Sequence, residues 1–189
     1  MRWQQLFADL QAQFDEEEAA AERSQAASRT RAELGAVRLP ERLRGALGFP
    51  VVLGCRGAGP VSGVLTDVGV DWLLLAGEGG REDLVALGAV RTVGGLGRRT
   101  AVPEVPGGVW SRLDLRRAVR GLARDRAVVQ VVLDDGVVLT GTLDRVGADY
   151  VELAEHPVDQ PRRSEAVQGV RAVVLDAVAV VRTASSGLG

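Results

Sequence analysis

The stretch VVQVVLDDGVVLTGTL, residues 128–143, predicts two β-strands joined by a tight turn. Val and Leu dominate both halves, and β-branched side chains favour the pleated backbone of a strand. The Asp135-Gly136 pair between the halves is a strong hairpin signal, because it tolerates the positive φ that such turns need. Gly141 lies within the second strand, where a glycine permits a sharp bend. The stretch therefore predicts a strongly bent antiparallel hairpin.

A related pattern occurs earlier in the chain, at an offset of 78 residues. Residues 62–75 read SGVLTDVGVDWLLL and residues 140–153 read TGTLDRVGADYVEL, so both fit G-x-L-x-x-V-G-x-D-[W/Y]-[L/V]-x-L. A second match, at an offset of 80, pairs residues 86–93 with residues 166–173. The change of offset falls in a loop, where insertions are tolerated. The sequence therefore predicts an internal duplication.

The chain divides into five predicted parts. They are an N-terminal amphipathic and acidic helix at 1–34, a first barrel at 38–97, a Pro/Gly linker at 98–109, a second barrel at 110–183 and a disordered tail at 184–189. A short helix is predicted before the strands of each copy. The predicted fold class is mainly β with short helices, comprising two tandem SH3-type barrels of five strands each.

The N-terminal helix carries one apolar stripe. Trp3, Leu6, Leu10 and Phe14 recur at spacings of three and four residues, which places them on one face of a helix. A helix with such a stripe must bury it against another surface. This surface is either the chain's own barrel or, if the helix is a docking element, a partner or a second copy.

A short helix followed by five bent antiparallel strands resembles the Sm-like fold, which includes the bacterial Hfq-type proteins. The resemblance is carried by Val-Gln-Val-Val-Leu at 129–133, by the Asp-Asp-Gly turn at 134–136, and by Leu-Thr-Gly-Thr-Leu at 139–143. It covers about residues 110–183 and, more weakly, residues 40–96. It implies small barrels that associate with RNA and that pair with one another through open edge strands.

The residues that form the uridine pocket of that family are not matched. Gly69 and Gly147 stand where the family places an aspartate, and Leu73 and Val151 stand where many members place an asparagine. Gln168-Gly169 replaces the Arg-Gly or Lys-His pair near the fourth strand. The family's RNA pocket is therefore not carried over to this chain.

The chain offers little for catalysis. Cys55 is the only cysteine, which excludes an internal disulfide, and its alignment with Leu133 predicts a position in the core. His156 is the only histidine; we expect it to be solvated in a loop, since a metal site needs three or four converging ligands. The absence of Lys excludes a Walker A motif and a Schiff base. We expect a non-enzymatic protein with no cofactor and no metal.

Composition and charge restrict the class of partner. A net charge of −2 and a pI near 5.5 disfavour a general polyanion binder. The N-terminus lacks the apolar region of a secretory signal, and no stretch is apolar enough to span a membrane. We therefore expect a cytoplasmic protein with no membrane partner.

One segment is basic, although the chain as a whole has a small negative net charge. Residues 98–126 carry eight arginines against three acidic residues, and such a cluster is typical of phosphate contacts. The candidate nucleic-acid-binding residues are Arg112, Arg116, Arg117, Arg120, Arg124 and Arg126. The alternatives are a solvated helix face, or arginines that pair with the acidic N-terminal helix.

The two copies also carry an aromatic residue at equivalent positions, Trp72 and Tyr150. If Val151 and Leu153 point inward, strand alternation directs Tyr150 outward, and Trp72 likewise. An exposed aromatic ring can stack on a base or anchor a protein interface. The alternative is burial against the preceding helix.

Two functions follow from these observations. The first is an Sm-like protein that associates with RNA or another nucleic acid through the Arg-rich helix. The second is a protein–protein interaction or assembly module without nucleic-acid binding, which forms a homo-oligomer through barrel edge strands or through the N-terminal helix.

Overall fold

The computed structural model of the chain describes residues 11, 16–18, 22–25, 35–97, 113–157 and 167–183. Residues 1–39 and 40–189 form two compact units. In the first unit the described residues 11, 16–18, 22–25 and 35–36 are helical. The predicted stripe of Trp3, Leu6, Leu10 and Phe14, the linker at 98–109 and the tail at 184–189 lie outside the described residues. Among the described residues, no helix is long and apolar enough to cross a membrane.

Residues 40–189 are mainly β, as predicted. The helices are α1 (Leu39–Arg44) and α2 (Leu115–Asp125). The strands of the first copy are β1 (Pro50–Cys55), β2 (Gly59–Val68), β3 (Trp72–Ala76), β4 (Glu82–Ala86) and β5 (Val90–Gly94). Those of the second copy are β6 (Val128–Leu133), β7 (Val138–Val146), β8 (Tyr150–Glu155), β9 (Gly169–Val174) and β10 (Val178–Thr183). The five antiparallel strands predicted for each copy are confirmed.

All ten strands belong to one sheet, in the order β5-β1-β2-β3-β4-β10-β6-β7-β8-β9. Each copy contributes the same internal order, with its last strand beside its first. The copies meet where Val85 of β4 pairs with Val180 of β10. Two tandem five-stranded barrels were expected, whereas the ten strands form one continuous sheet that is not closed. The reason is that β10 covers the backbone groups that β4 would otherwise present as an unpaired edge.

The copies share their local irregularities. The β2–β3 ladder shifts register after Leu65, and the β7–β8 ladder shifts after Leu143. A short 3-10 turn precedes the last strand of each copy, at Leu87–Ala89 and Leu175–Ala177. The two copies therefore correspond residue by residue at these register shifts and turns.

The second sequence match of the repeat is wrong. Leu87 N donates to Asp71 O at 2.8 Å, and Leu175 N donates to Asp149 O at 2.8 Å, so Leu87 is equivalent to Leu175, an offset of 88 rather than 80. The extra residues lie between β8 and β9. Residues 86–93 and 166–173 matched only because both contain Val and Ala in strand-like spacing.

Both copies have a glycine within the long bent strand, and the close approach of the neighbouring strand explains it. A Cβ at Gly63 would lie 2.6 Å from Ala76 O, and one at Gly141 would lie closer still to Ala154 O. These obstacles are backbone atoms, which cannot move aside without breaking the ladder. Glycine is therefore required at both positions.

The core consists mainly of Val, Leu and Ala from both copies, with Leu43 of α1 and Leu115 and Val119 of α2. Cys55 is buried among these residues, as predicted. Burial raises the pKa of its thiol above the usual 9.0, although Arg182 and Arg91 act in the opposite direction. Cys55 is thus a core thiol that stays protonated at neutral pH.

Candidate nucleic-acid interface

Helix α2 carries the described arginines of the predicted binding set. Its first turn is capped by Asp114, whose side chain accepts a hydrogen bond from Arg117 N at 2.9 Å. Leu115 and Val119 are buried on one face, and the helix packs against β7. The helix ends at Asp125. The next residue, Arg126, has a φ of 52° and is the only described residue other than glycine with a positive φ.

The start of α2 is fixed to the β2–β3 turn of the first copy. Leu115 N donates to Asp71 Oδ1 at 2.6 Å. The indole Nε1 of Trp72 donates to Leu113 O at 2.8 Å, and Val70 N donates to the same carbonyl at 3.3 Å. Three hydrogen bonds thus hold the helix N-terminus against this turn.

Arg116 fixes the helix to the equivalent turn of the second copy. Its side chain is half-buried, and its Nε donates to Gly147 O at 2.7 Å. A backbone carbonyl is a strong acceptor for a guanidinium. Arg116 therefore links α2 to the β7–β8 turn, and one helix connects the corresponding turns of both copies.

The other described arginines of the set face solvent. Arg117, Arg120 and Arg124 are exposed and spaced by three and four residues, which places them on the face opposite Leu115 and Val119. Arg126 is exposed just beyond the helix. None of these four forms an ion pair with a described residue. Arg112 lies outside the described residues.

Of the two orientations considered for Trp72, outward or buried against a helix, the structure has the buried one. Only 3% of Trp72 is exposed, and Tyr150 is half-buried. Each ring folds back over the glycine three residues earlier: a Cβ at Gly69 would collide with the Trp72 ring, and one at Gly147 with the Tyr150 ring. The glycine and the aromatic residue of the repeated motif thus form one packing unit, which strand alternation alone does not reveal.

His156 is buried rather than solvated, contrary to expectation, with 3% of its surface exposed. Its Nδ1 lies 2.9 Å from Pro157 O, which can only accept, so Nδ1 carries the proton. Thr142 Oγ1 then donates to Nε2 across 2.8 Å. Both ring nitrogens are occupied by protein partners. The described residues contain no group of three or more His, Cys, Asp or Glu side chains that could hold a metal ion.

The exposed arginines of α2 and the two aromatic turns that position the helix therefore define the candidate interface. Comparison of the chain with protein-family models, with curated proteins and with solved structures finds no match. The chemistry of this surface is accordingly the basis for assigning a function.

Proposed function

We propose that this chain is a non-enzymatic tandem protein of the Sm-like type that binds RNA or a similar polyanion through the exposed arginines of α2. The observation that carries the proposal is the set Arg117, Arg120, Arg124 and Arg126, which is exposed and free of ion pairs with described residues. Arg117, Arg120 and Arg124 belong to α2, and Arg126 follows it directly. The helix is hydrogen-bonded to both copies of the repeat. A rigid support lowers the entropic cost of binding.

Guanidinium groups bind phosphates through paired, charge-assisted hydrogen bonds. Arg117 and Arg124 are seven residues apart, so the stripe extends over about 10 Å along the helix axis. The stripe presents positive charge to the phosphates of a nucleic-acid backbone and does not form a pocket for a base. We therefore propose binding that is strongly salt-dependent and nearly independent of sequence.

A salt-dependent titration with single-stranded RNA tests this proposal. The test variant changes Arg117, Arg120, Arg124 and Arg126 to Gln. If all four contact phosphates, the slope of log K against log salt is about −3 for the wild type and flattens towards zero in the variant. The matched control changes Arg56, Arg91, Arg145 and Arg171 to Gln, which alters the net charge equally at other sites. Absence of binding at low salt, or equal losses in both variants, contradicts the proposal.

A second candidate function, an assembly module, is favoured by the junction between β4 and β10. That junction joins the copies edge to edge, and by the repeat β9 and β5 are the corresponding strands at the two ends of the sheet. Val170 and Val174 of β9 are 62% and 55% exposed. An exposed apolar edge strand invites pairing, so β9 of one molecule can pair with β5 of the next.

Sedimentation velocity distinguishes this candidate. Assembly through β9 predicts oligomers that dissociate when Val170 and Val174 are changed to Lys, because charged side chains block edge pairing. Changing the exposed Val137 and Val138, which lie away from the ends of the sheet, to Lys provides the control. A monomer at all concentrations excludes the assembly function and leaves the RNA proposal unaffected.

A further inference from the structure

A cleft of about 250 Å³ lies beside the exposed arginines, between α2 and the sheet. Its walls come from β2, β3, β4 and β10 together with one flank of α2, so it covers the junction between the two copies. Apolar side chains form its floor, among them Trp72, Leu84 and Val181. Glu82 and Asp125, which also line it, are exposed, so the cleft opens to solvent.

One of the residues that line the cleft is a glycine within a helix. Gly121 is in the middle of α2 and lines the cleft, and a Cβ placed on it would meet nothing within 4 Å. Glycine at a helix interior costs about 1 kcal/mol relative to alanine. No close contact and no positive φ requires glycine at this position. The missing side chain of Gly121 thus leaves the cleft wider at this point, at a cost in helix stability.

The charge of the cleft is opposite to that of the neighbouring arginine stripe. Asp67, Glu82 and Asp125 line it, and none of the described lining residues is basic. Asp125 is the last residue of α2, where a negative charge is unfavourable for the helix dipole. Three carboxylates above an apolar floor match a cationic group carried on an apolar stem.

We propose that this cleft receives the side chain of an arginine presented by a partner protein. The methylene stem of an arginine packs on apolar surface while its guanidinium pairs with carboxylates. The volume suits one long side chain and is smaller than the usual 300–1,000 Å³ of a ligand pocket.

The experiment uses the full ¹⁵N-labelled chain and N-acetyl-arginine amide as the probe. The chain has three tryptophans, so the indole signal of Trp72 is assigned by its disappearance in Trp72→Phe. We expect this signal to shift saturably, with binding at least about tenfold tighter than that of the neutral isostere N-acetyl-citrulline amide. No saturable shift, or equal binding of the two compounds, overturns the proposal.

Substitutions test whether the cleft itself is responsible. Gly121→Leu fills the cleft and favours the helix, so binding should disappear while the melting temperature is maintained or raised. Glu82→Gln and Asp125→Asn should each weaken binding about three- to tenfold. Glu78→Gln changes an exposed glutamate of the β3–β4 connection that does not line the cleft; it is the control and should leave binding unchanged. Unaltered binding in Gly121→Leu contradicts the proposal.

The source of the cation is tested with two further ligands that carry the same guanidinium charge, an arginine within an N-acetylated, C-amidated pentapeptide of otherwise glycine residues and N-acetylagmatine. The peptide should bind at least as tightly as N-acetylagmatine if the natural occupant is a protein side chain. Tighter binding of N-acetylagmatine overturns the assignment to a partner protein. Because the cleft and the arginine stripe lie on different flanks of α2, this test is independent of the RNA titration.

Discussion

The two copies of the repeat share one local structure but occupy different surroundings. Trp72 and Tyr150 fold over equivalent glycines, yet Trp72 is buried beneath the start of α2 whereas Tyr150 remains half-buried. The edge strand β4 is covered by β10, whereas its counterpart β9 is at the end of the sheet. The difference arises because α2 and β10 belong to the second copy and pack against the first.

The duplicated sequence thus determines the turn and the bend of each copy. The elements that follow in the chain determine which turn and which edge strand of each copy are covered. This asymmetry places the arginine stripe and the acidic cleft on adjacent flanks of one helix.

The largest expected loss of stability is at the two strand glycines, Gly63 and Gly141, and it tests whether the two copies are packed in the same way. Gly141→Ala should lower the free energy of unfolding by about 3 kcal/mol and Gly63→Ala by about 1–2 kcal/mol, because the new methyl groups meet backbone carbonyls. The closer approach at Gly141 makes its cost the greater. Urea denaturation measures both values. A loss below 0.5 kcal/mol in either variant, on the scale of ordinary surface changes, would contradict the close packing.

The next expected loss of stability differs between the covered edge strand β4 and the uncovered edge strand β9. Asp83 of β4 is fully buried, with Arg81 Nη2 at 3.1 Å and Arg182 Nε at 3.4 Å. Asp83→Ala should cost about 2 kcal/mol, because it leaves Arg182 without its partner at the β4–β10 junction; the partial exposure of both arginines lowers the cost from that of a fully buried pair.

Arg171 of β9 is equivalent to Asp83 and provides the matched comparison. It pairs with Glu155 at an exposed position, so Arg171→Ala should cost less than about 1 kcal/mol. Chemical denaturation of the two variants under the same conditions gives the comparison. Equal losses would show that the junction is no more critical than the open edge.

A smaller difference is expected between the two aromatic residues. Trp72→Phe removes the hydrogen bond to Leu113 O and part of a buried ring, and should cost about 2 kcal/mol. Tyr150→Phe retains the ring over Gly147 and should change stability by less than about 0.5 kcal/mol. Thermal unfolding followed by circular dichroism tests this difference. If Tyr150→Phe is the more damaging variant, the aromatic residue of the second copy has a buried polar role.

The smallest effect on stability concerns Cys55, which occupies the position of Leu133 in the second copy. Burial raises the pKa of its thiol in the folded chain. The stability linked to this proton is therefore present at neutral pH and is lost as the pH rises above the ordinary value of 9.0. Thiol labelling at pH 8 should be at least about tenfold slower in the folded chain than in urea. Equal rates would indicate an accessible thiol.

Much of the strand pattern could be predicted from the sequence. Alternating Val and Leu, the Asp-Gly turn and the glycine within the second strand indicated β6 at its observed bounds and the start of β7 to within one residue, although β7 continues three residues beyond Leu143. The positions of the last two strands of the first copy were aligned at the wrong offset, because the short Val- and Ala-rich segments there resemble one another. The hydrogen bonds from Leu87 and Leu175, together with the 3-10 turns that begin at these residues, identify the correct equivalence.

The candidate site was predictable only in part. Clustered arginines at helical spacing indicated the exposed stripe of α2, but nothing in that spacing separated Arg116, which is bonded to Gly147 O, from its solvent-facing neighbours. The acidic cleft was not predicted at all. Its lining comes from Asp67, Glu82 and Asp125, which are far apart in sequence and meet only across the helix and the sheet.

By itself, the sequence determined the duplication, the mainly β class and the basic character of α2, because strand alternation, turn chemistry and charge spacing are local properties. The tertiary structure alone decided that ten strands form one sheet, that Trp72 is buried and that an acidic cleft lies beside a basic stripe. These features depend on which edge pairs with which and on what covers each turn. Edge pairing and the covering of each turn are driven by the burial of surfaces that are distant along the chain.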